Sequence, residues 1–249
     1  MNAPGLLDFD WRTPAGVRAA FTTRLGGASA APWDSLNLGA HVGDAPAAVL
    51  ANRRRVRELL SLPAEPAWLQ QAHGTAIADL DADSPAREAD GAVSRERGRV
   101  AAIMVADCLP VLFASRDGRC IAAAHAGWRG LAAGVLEQTV RAMSVPGAKL
   151  TAWLGPAISR EHFEVGDEVR DAFVSNDTAA SSAFTRNSRG RWQADLVALA
   201  RRRLAALGVN DVGGGTWCTF ADRERFFSHR RDSQKLGNSG RMAALIWRT

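Results

Sequence analysis

The chain has 249 residues, 47% of them hydrophobic and 23% charged, the make-up of an ordinary soluble globular protein with room for a substantial core. No apolar run approaches the roughly 20 residues that cross a bilayer, so a membrane-spanning protein is not expected. The formal net charge is +5, and all but two of the 31 basic residues are arginine. The clusters at 53–55 and 201–203 sit beside apolar positions and read as solvated helix faces rather than a nucleic-acid stripe.

The opening MNAPGLLDFDWRTP is acidic and lacks the basic-then-apolar order of a signal peptide, so a cytoplasmic protein is expected. Three cysteines without CxxC spacing argue against a disulfide scaffold. In chain order, 17–25 reads as a strand ending in a turn that carries Arg24, and 34–43 as a polar loop. Asp44 is expected to cap a helix of about fifteen residues, with Pro46 in its first turn. Residues 67–72 form a short strand leading into His73-Gly74. Further strands are expected at 90–94, 100–106 and 109–115, with Asp117-Gly118 turning the chain into another at 120–125.

A helix over 131–143 follows, then a strand over 149–154 and helices over 166–175 and 195–207, the last capped by Asp195 and stopped at Gly208. The polar stretch 175–191 reads as a loop, and 211–218 and 243–247 as late strands. Phe226–Arg231 places an aromatic wall beside cations, as an edge strand or a pocket lining. No repeat or Pro/Ser linker divides the chain. The expectation is an α+β protein, one domain over 1–249 of mixed sheets flanked by helices.

The chemistry concentrates between residues 100 and 130. Two apolar segments end abruptly, one at Asp107-Cys108 and the other at His125-Ala-Gly-Trp128-Arg129-Gly130. Strand ends that break into polar residues and glycine are how such folds place reactive groups at a sheet rim. If His73 meets Cys108 and His125, the three offer a thiolate and two imidazoles, a suitable zinc set with an open fourth position. Their wide spacing matches no local zinc motif, and a Cys108 nucleophile with a histidine base is the competing reading. Cys120, inside an apolar strand, and Cys218 read as structural. Gly213-Gly214-Gly215 lacks dinucleotide-fold spacing.

Arg129 and the backbone at Gly130, assisted by Arg24, are expected to form an anion subsite. Asp107 and Asp90 are the nearest acid–base candidates. His229 and Arg230 are expected to line the pocket of a flat, charged ligand.

FTTRLGGAS, SLNLGAHVGD, WLQQAHG, ADCLPVLF, AAAHAGWRGLAAGVL, WLGPAI, FEVGDEV and FFSHRRD occur in the order seen in the laccase-domain family. That family is also called the polyphenol oxidase or multicopper polyphenol oxidoreductase family, and its bacterial members resemble human FAMIN. The resemblance runs from about residue 17 to the end. It implies zinc held by His73, Cys108 and His125. Cys108, His73, His125 and Asp107 are the expected catalytic group, and Asn37, Gln71 and Asp90 are expected substrate contacts.

The activity implied is purine nucleoside phosphorolysis of adenosine, inosine, guanosine and methylthioadenosine, with adenosine deamination. The partners are then a nucleoside and phosphate, with no nucleic acid or membrane, and the chain is expected to be a monomer or weak homo-oligomer. Other members resemble a peptidoglycan-editing amidase that removes L-Ser from UDP-N-acetylmuramyl-L-Ser, which is the alternative. Copper-dependent polyphenol oxidation is disfavoured, because five histidines are too few for a four-copper oxidase; Cu²⁺ would enter only as an adventitious metal.

Overall fold

The computed structural model describes residues 5–8, 11–84 and 88–249, with 234–236 described for their backbone only. Two sheets dominate it. A four-stranded sheet runs in the order Val17–Phe21, Met242–Arg248, Val100–Val105, Ala67–Trp68. A six-stranded sheet runs Asp211–Gly214, Leu150–Leu154, Leu109–Ser115, Ile121–Ala126, Gly91–Ser94, Ile77–Asp79. Both mix parallel and antiparallel pairs. A small third sheet joins Phe184–Arg186, Trp192–Ala194 and Glu164–Val165. The fold is α+β, as the sequence led us to expect.

The sheets stack face to face, and the side-chain alternation of each strand shows how. Ala101, Ile103 and Val105 pack between the sheets together with Leu112, Ala114, Ile121 and Ala123. The opposite faces are apolar too. Leu109, Val111 and Phe113 meet Leu131, Val135 and Leu136 of the helices on one side. On the other, Val100 and Ala102 meet Val56 of the helix Pro46–Leu59. Strands covered on both faces must be apolar at every position, which is why 100–105 and 109–115 read as continuous hydrophobic runs.

Several local expectations are corrected. The helix expected over 131–143 starts earlier and is interrupted. Trp128–Ala133 ends at Gly134, whose φ of 101° is a left-handed conformation that a side chain resists, and Val135–Met143 then begins afresh. Asp44 does not cap Pro46–Leu59; Ala45 holds the cap position. Asp44 instead accepts from Ser29 and Asn37 within a buried polar cluster.

The stretch 175–191 is not a plain loop but contains a 3-10 segment, Thr178–Ala183, and the strand Phe184–Arg186. Phe226–Arg231 is not an edge strand: Ser228 caps a helix, His229–Leu236, by accepting from the Arg231 backbone N–H. Among the described residues no helix is long and apolar enough to cross a membrane.

Candidate metal and substrate site

Strand register assembles the site. Ile121–Ala126 pairs antiparallel with Leu109–Ser115, with Ala126 opposite Leu109, so Cys108 comes alongside Gly127 one step further on. Gly91–Ser94 pairs with Ile121–Ala126, with Gly91 opposite Ala124, which brings Asp90 to His125. Met242 lies opposite Val105, which places Arg241 at the mouth of the same crossing. That crossing is Ala106-Asp107-Cys108, where the chain leaves the four-stranded sheet for the six-stranded one.

The ligand atoms of His73, Cys108 and His125 all lie within 4.8 Å of one another, with Cys108 Sγ 3.7 Å from His73 Nε2. Tetrahedral zinc with Zn–S and Zn–N bonds of about 2.3 and 2.0 Å sets sulfur and nitrogen about 3.5 Å apart, so the donors fit such an ion with little movement. Gly127 makes the convergence possible: a Cβ there would stand 2.8 Å from His73 Cδ2 and 3.1 Å from Cys108 Sγ. The chain therefore holds a His₂Cys cradle that suits a metal.

Asp90, expected near substrate, is buried at 1% exposure and spends its whole carboxylate on the protein. Oδ1 accepts from the His73 backbone N–H and from His125 Nδ1, at 2.9 and 2.8 Å. Oδ2 accepts from the backbone N–H of Ala72 and Gly74. These bonds hold His73 at φ 62°, a conformation costly for a non-glycine residue, and leave His125 Nε2 free to ligate. Asp90 is thus a positioning residue. Burial disfavours its charge, but His125 and the Gly74 and Ala72 backbone outweigh that and hold its carboxyl below the usual range.

The same balance acts on the ligands. Burial pushes the Cys108 thiol up, yet His125 and His73 beside it bring it down to about 6. Burial lowers His125, while the Cys108 thiolate and Asp90 raise it to about 9. Cys120, with burial dominant and no such neighbours, is pushed up to about 11. The cluster favours Cys108 as thiolate, the form that binds metals.

Asp107, also expected as an acid–base group, sits at φ 88° with its carboxylate occupied. Oδ1 accepts from the Thr219 hydroxyl at 2.6 Å, and Oδ2 from the Ser228 hydroxyl and the Arg230 backbone N–H. It ties the Cys108 turn to the start of the last helix. Asp107→Asn is therefore expected to cost less than about tenfold in kcat, because an amide donates to Thr219 while its oxygen keeps the other two donors. Asp107→Ala leaves Arg230 N–H unpaired and is expected to lower stability by about 1–3 kcal/mol. Turnover of the two variants alongside their thermal unfolding checks this; a loss near 10²-fold in the Asn variant, with stability intact, restores the acid–base role.

The remaining expected residues divide. Gln71 lines the cavity beside the cluster and is held by Met104 through both its amide oxygen and nitrogen. Arg129 and Arg230 line the other cavity. Arg129 lies over Trp128, 4.5 Å from its ring centroid, and donates to no described protein atom. His229 borders both cavities.

Others are placed elsewhere. Arg24 donates to Asp34 and the Arg223 carbonyl and lies over Phe227, lining neither cavity. Asn37 is fully buried, serving Gly39, Asp44 and Arg241. Gly130 is a packing position, since a Cβ there would stand 2.7 Å from the Gly74 carbonyl. The helix it belongs to is only six residues long.

Two cavities adjoin the cluster and share His73, Ala106, Cys108 and His229. One, about 310 Å³, is walled by Trp128, Ile158, Phe163 and Leu196. The other, about 240 Å³, is bordered by His41, Gln71, Met104 and Arg241. His41 and Arg241 were not singled out from the sequence. Arg241 lies two residues before the strand expected at 243–247 and His41 lies in a quoted motif, but neither neighbourhood tells which cavity it enters.

An α+β chain whose two stacked sheets present a His₂Cys metal cradle at their shared strand ends defines the class. Residues 18–249 match the family model described as multi-copper polyphenol oxidoreductase laccase, and the chain belongs to that family. It is 54% identical over 239 residues to a protein of Pseudomonas aeruginosa named purine nucleoside phosphorylase, covering 96% of each chain. It is 50% identical to the Escherichia coli protein named purine nucleoside phosphorylase YfiH, over 95% of this chain and 96% of that one.

Among solved structures, a Neisseria meningitidis protein superposes with a TM-score of 0.90 at 48% identity, covering 98% of this chain and 99% of that one. YlmD of Geobacillus stearothermophilus superposes at 0.87 and 32% identity, covering 100% and 97%.

Proposed function

We propose that this protein is a zinc-dependent purine nucleoside phosphorylase, acting on inosine, guanosine, adenosine and methylthioadenosine, that also deaminates adenosine. The observation that carries the reading is a metal cradle opening on two unlike cavities at once, as a reaction joining two unlike substrates requires. Relatives about half identical over nearly their whole length bear phosphorylase names, which supports it. His73, Cys108 and His125 would hold the metal, and bound zinc supplies Lewis-acid polarisation where the cavities meet.

The lobe walled by Trp128, Ile158, Phe163 and Leu196 suits a purine, whose flat face gains from aromatic and apolar contact. Arg129, stacked on Trp128 and donating to no described protein atom, stands at its edge. In phosphorolysis a phosphate oxygen bonds to C1′ as the C1′–N9 bond breaks. The electron pair leaves with the purine, which takes up the proton that phosphate loses on becoming an ester. Deamination consumes water at C6 and releases ammonia. One His₂Cys cluster among the described residues, with His162 stacked on Phe220 elsewhere, supplies too few imidazoles for four coppers.

Incubation with inosine and phosphate is expected to yield hypoxanthine and ribose 1-phosphate, and adenosine to yield inosine as well. Release of L-Ser from UDP-N-acetylmuramyl-L-Ser with nucleosides untouched would replace this reading by the amidase one. Metal analysis of wild type and Cys108→Ala accompanies the assay. About one zinc per chain is expected in the first and little in the second; equal contents remove Cys108 from the ligand set.

A further inference from the structure

Arg241 is the most exceptional cation at the site. Its Nη1 donates to the carbonyls of Ser239 and Gly240 and to the Ser239 hydroxyl, which fixes the guanidinium in place. Its Nε and Nη2 donate to no described protein atom, and no described carboxylate pairs with it. A half-buried guanidinium normally finds an acidic partner, because desolvating an unpaired charge is costly. Here burial draws Arg241 down from its usual value, offset only in part by Cys108 and Asp107.

The cavity it borders contains no Asp or Glu side chain, in contrast to its neighbour, which includes Asp107. His41 and His229 border it with no hydrogen bond from their rings to described protein atoms. An imidazole carries at least one N–H whether neutral or charged, so each can donate. A fixed guanidinium edge and two imidazole donors therefore converge on an acid-free cavity beside the metal cradle.

We propose that Arg241, His41 and His229 form the inorganic phosphate subsite, in the cavity that adjoins the Trp128–Phe163 lobe at the metal cradle. The assignment rests on the phosphorolysis reading for its role in turnover, but not for binding itself. It replaces the expectation that Arg24, Arg129 and Gly130 hold the anion. Two free N–H groups of one guanidinium match two phosphate oxygens, and a purine in the apolar lobe would leave C1′ between base and nucleophile.

Calorimetric titration of the zinc-loaded protein with inorganic phosphate tests the subsite directly. Arg241→Met is expected to raise the phosphate Kd at least about tenfold, and His41→Gln by about threefold to tenfold, with zinc content unchanged. At saturating inosine the phosphate KM is expected to rise in step, while inosine binding, followed by tryptophan fluorescence, stays as in wild type. His41→Gln alters an exposed side chain and keeps the test decisive if Arg241→Met fails to fold.

Unchanged phosphate affinity in the variants overturns the assignment, as does absence of phosphate binding by the wild type. A loss that follows Arg129→Met instead places the anion in the other lobe and overturns it too. Phosphate bound through Arg241, with every nucleoside left intact, upholds the subsite and sinks the phosphorylase reading alone.

Discussion

Asp90→Asn is expected to lower metal affinity about 10–100-fold and stability by about 2–5 kcal/mol, a loss far beyond that of the matching change at Asp107. The reason lies in donor count. Asp90 receives four hydrogen bonds, all from nitrogen: three backbone N–H groups and His125 Nδ1. None of the backbone donors can reverse its role, so an amide nitrogen faces either the two N–H groups of Ala72 and Gly74 or the His73 N–H together with His125 Nδ1, which carries its proton whenever Nε2 ligates.

His73 then loses the contacts that hold it at φ 62°, and His125 loses the partner that aims its Nε2. Asp107, by contrast, meets two hydroxyls and one N–H, and hydroxyls can turn to accept. Competition titration against a chromogenic chelator, with thermal unfolding of the metal-free protein, reads both effects. Metal affinity within twofold of wild type would show that Asp90 does not orient the ligands.

Gly127→Ala carries the second large effect. Gly127 has φ −62°, so its backbone tolerates any residue, and the requirement is purely one of space. One methyl group would stand 2.8 Å from His73 and 3.1 Å from the Cys108 sulfur, where bonded geometry leaves no slack in a three-ligand cradle. The cost of overpacking is expected at about 1–3 kcal/mol. Metal affinity is expected to fall about 100-fold, because displacing any one ligand spoils the geometry for all. Metal affinity retained within a few-fold of wild type would show that the ligands approach from another side than the one described.

Much of the molecule was legible before folding. Strands were readable at 100–106, 109–115 and 120–125, within one residue of those observed, because burial on both faces demands unbroken apolar sequence. Asp195 was readable as a cap, since its carboxylate accepts from Ala198 N–H, three residues away. His229–Leu236 was not readable as a helix: it is almost wholly polar, and Phe226 and Phe227 before it mimic a strand end. Arg24, Asn37 and Gly130 were sound choices by residue type that packing assigned to other work.

By itself, the sequence determined the strand cores, the Asp195 cap, and which side chains carry reactive chemistry. These depend on neighbours within a few positions, where periodicity and hydrogen-bond reach are set by the chain. Only the tertiary structure decided that Asp90 stands behind His125, that Gly127 makes room for Cys108, and that Arg241 enters the acid-free cavity. Those relations follow from the pairing of Gly91 with Ala124, Leu109 with Ala126 and Val105 with Met242. A slip of one residue in any of these registers turns each side chain to the opposite face, so site geometry is a property of strand pairing rather than of local sequence.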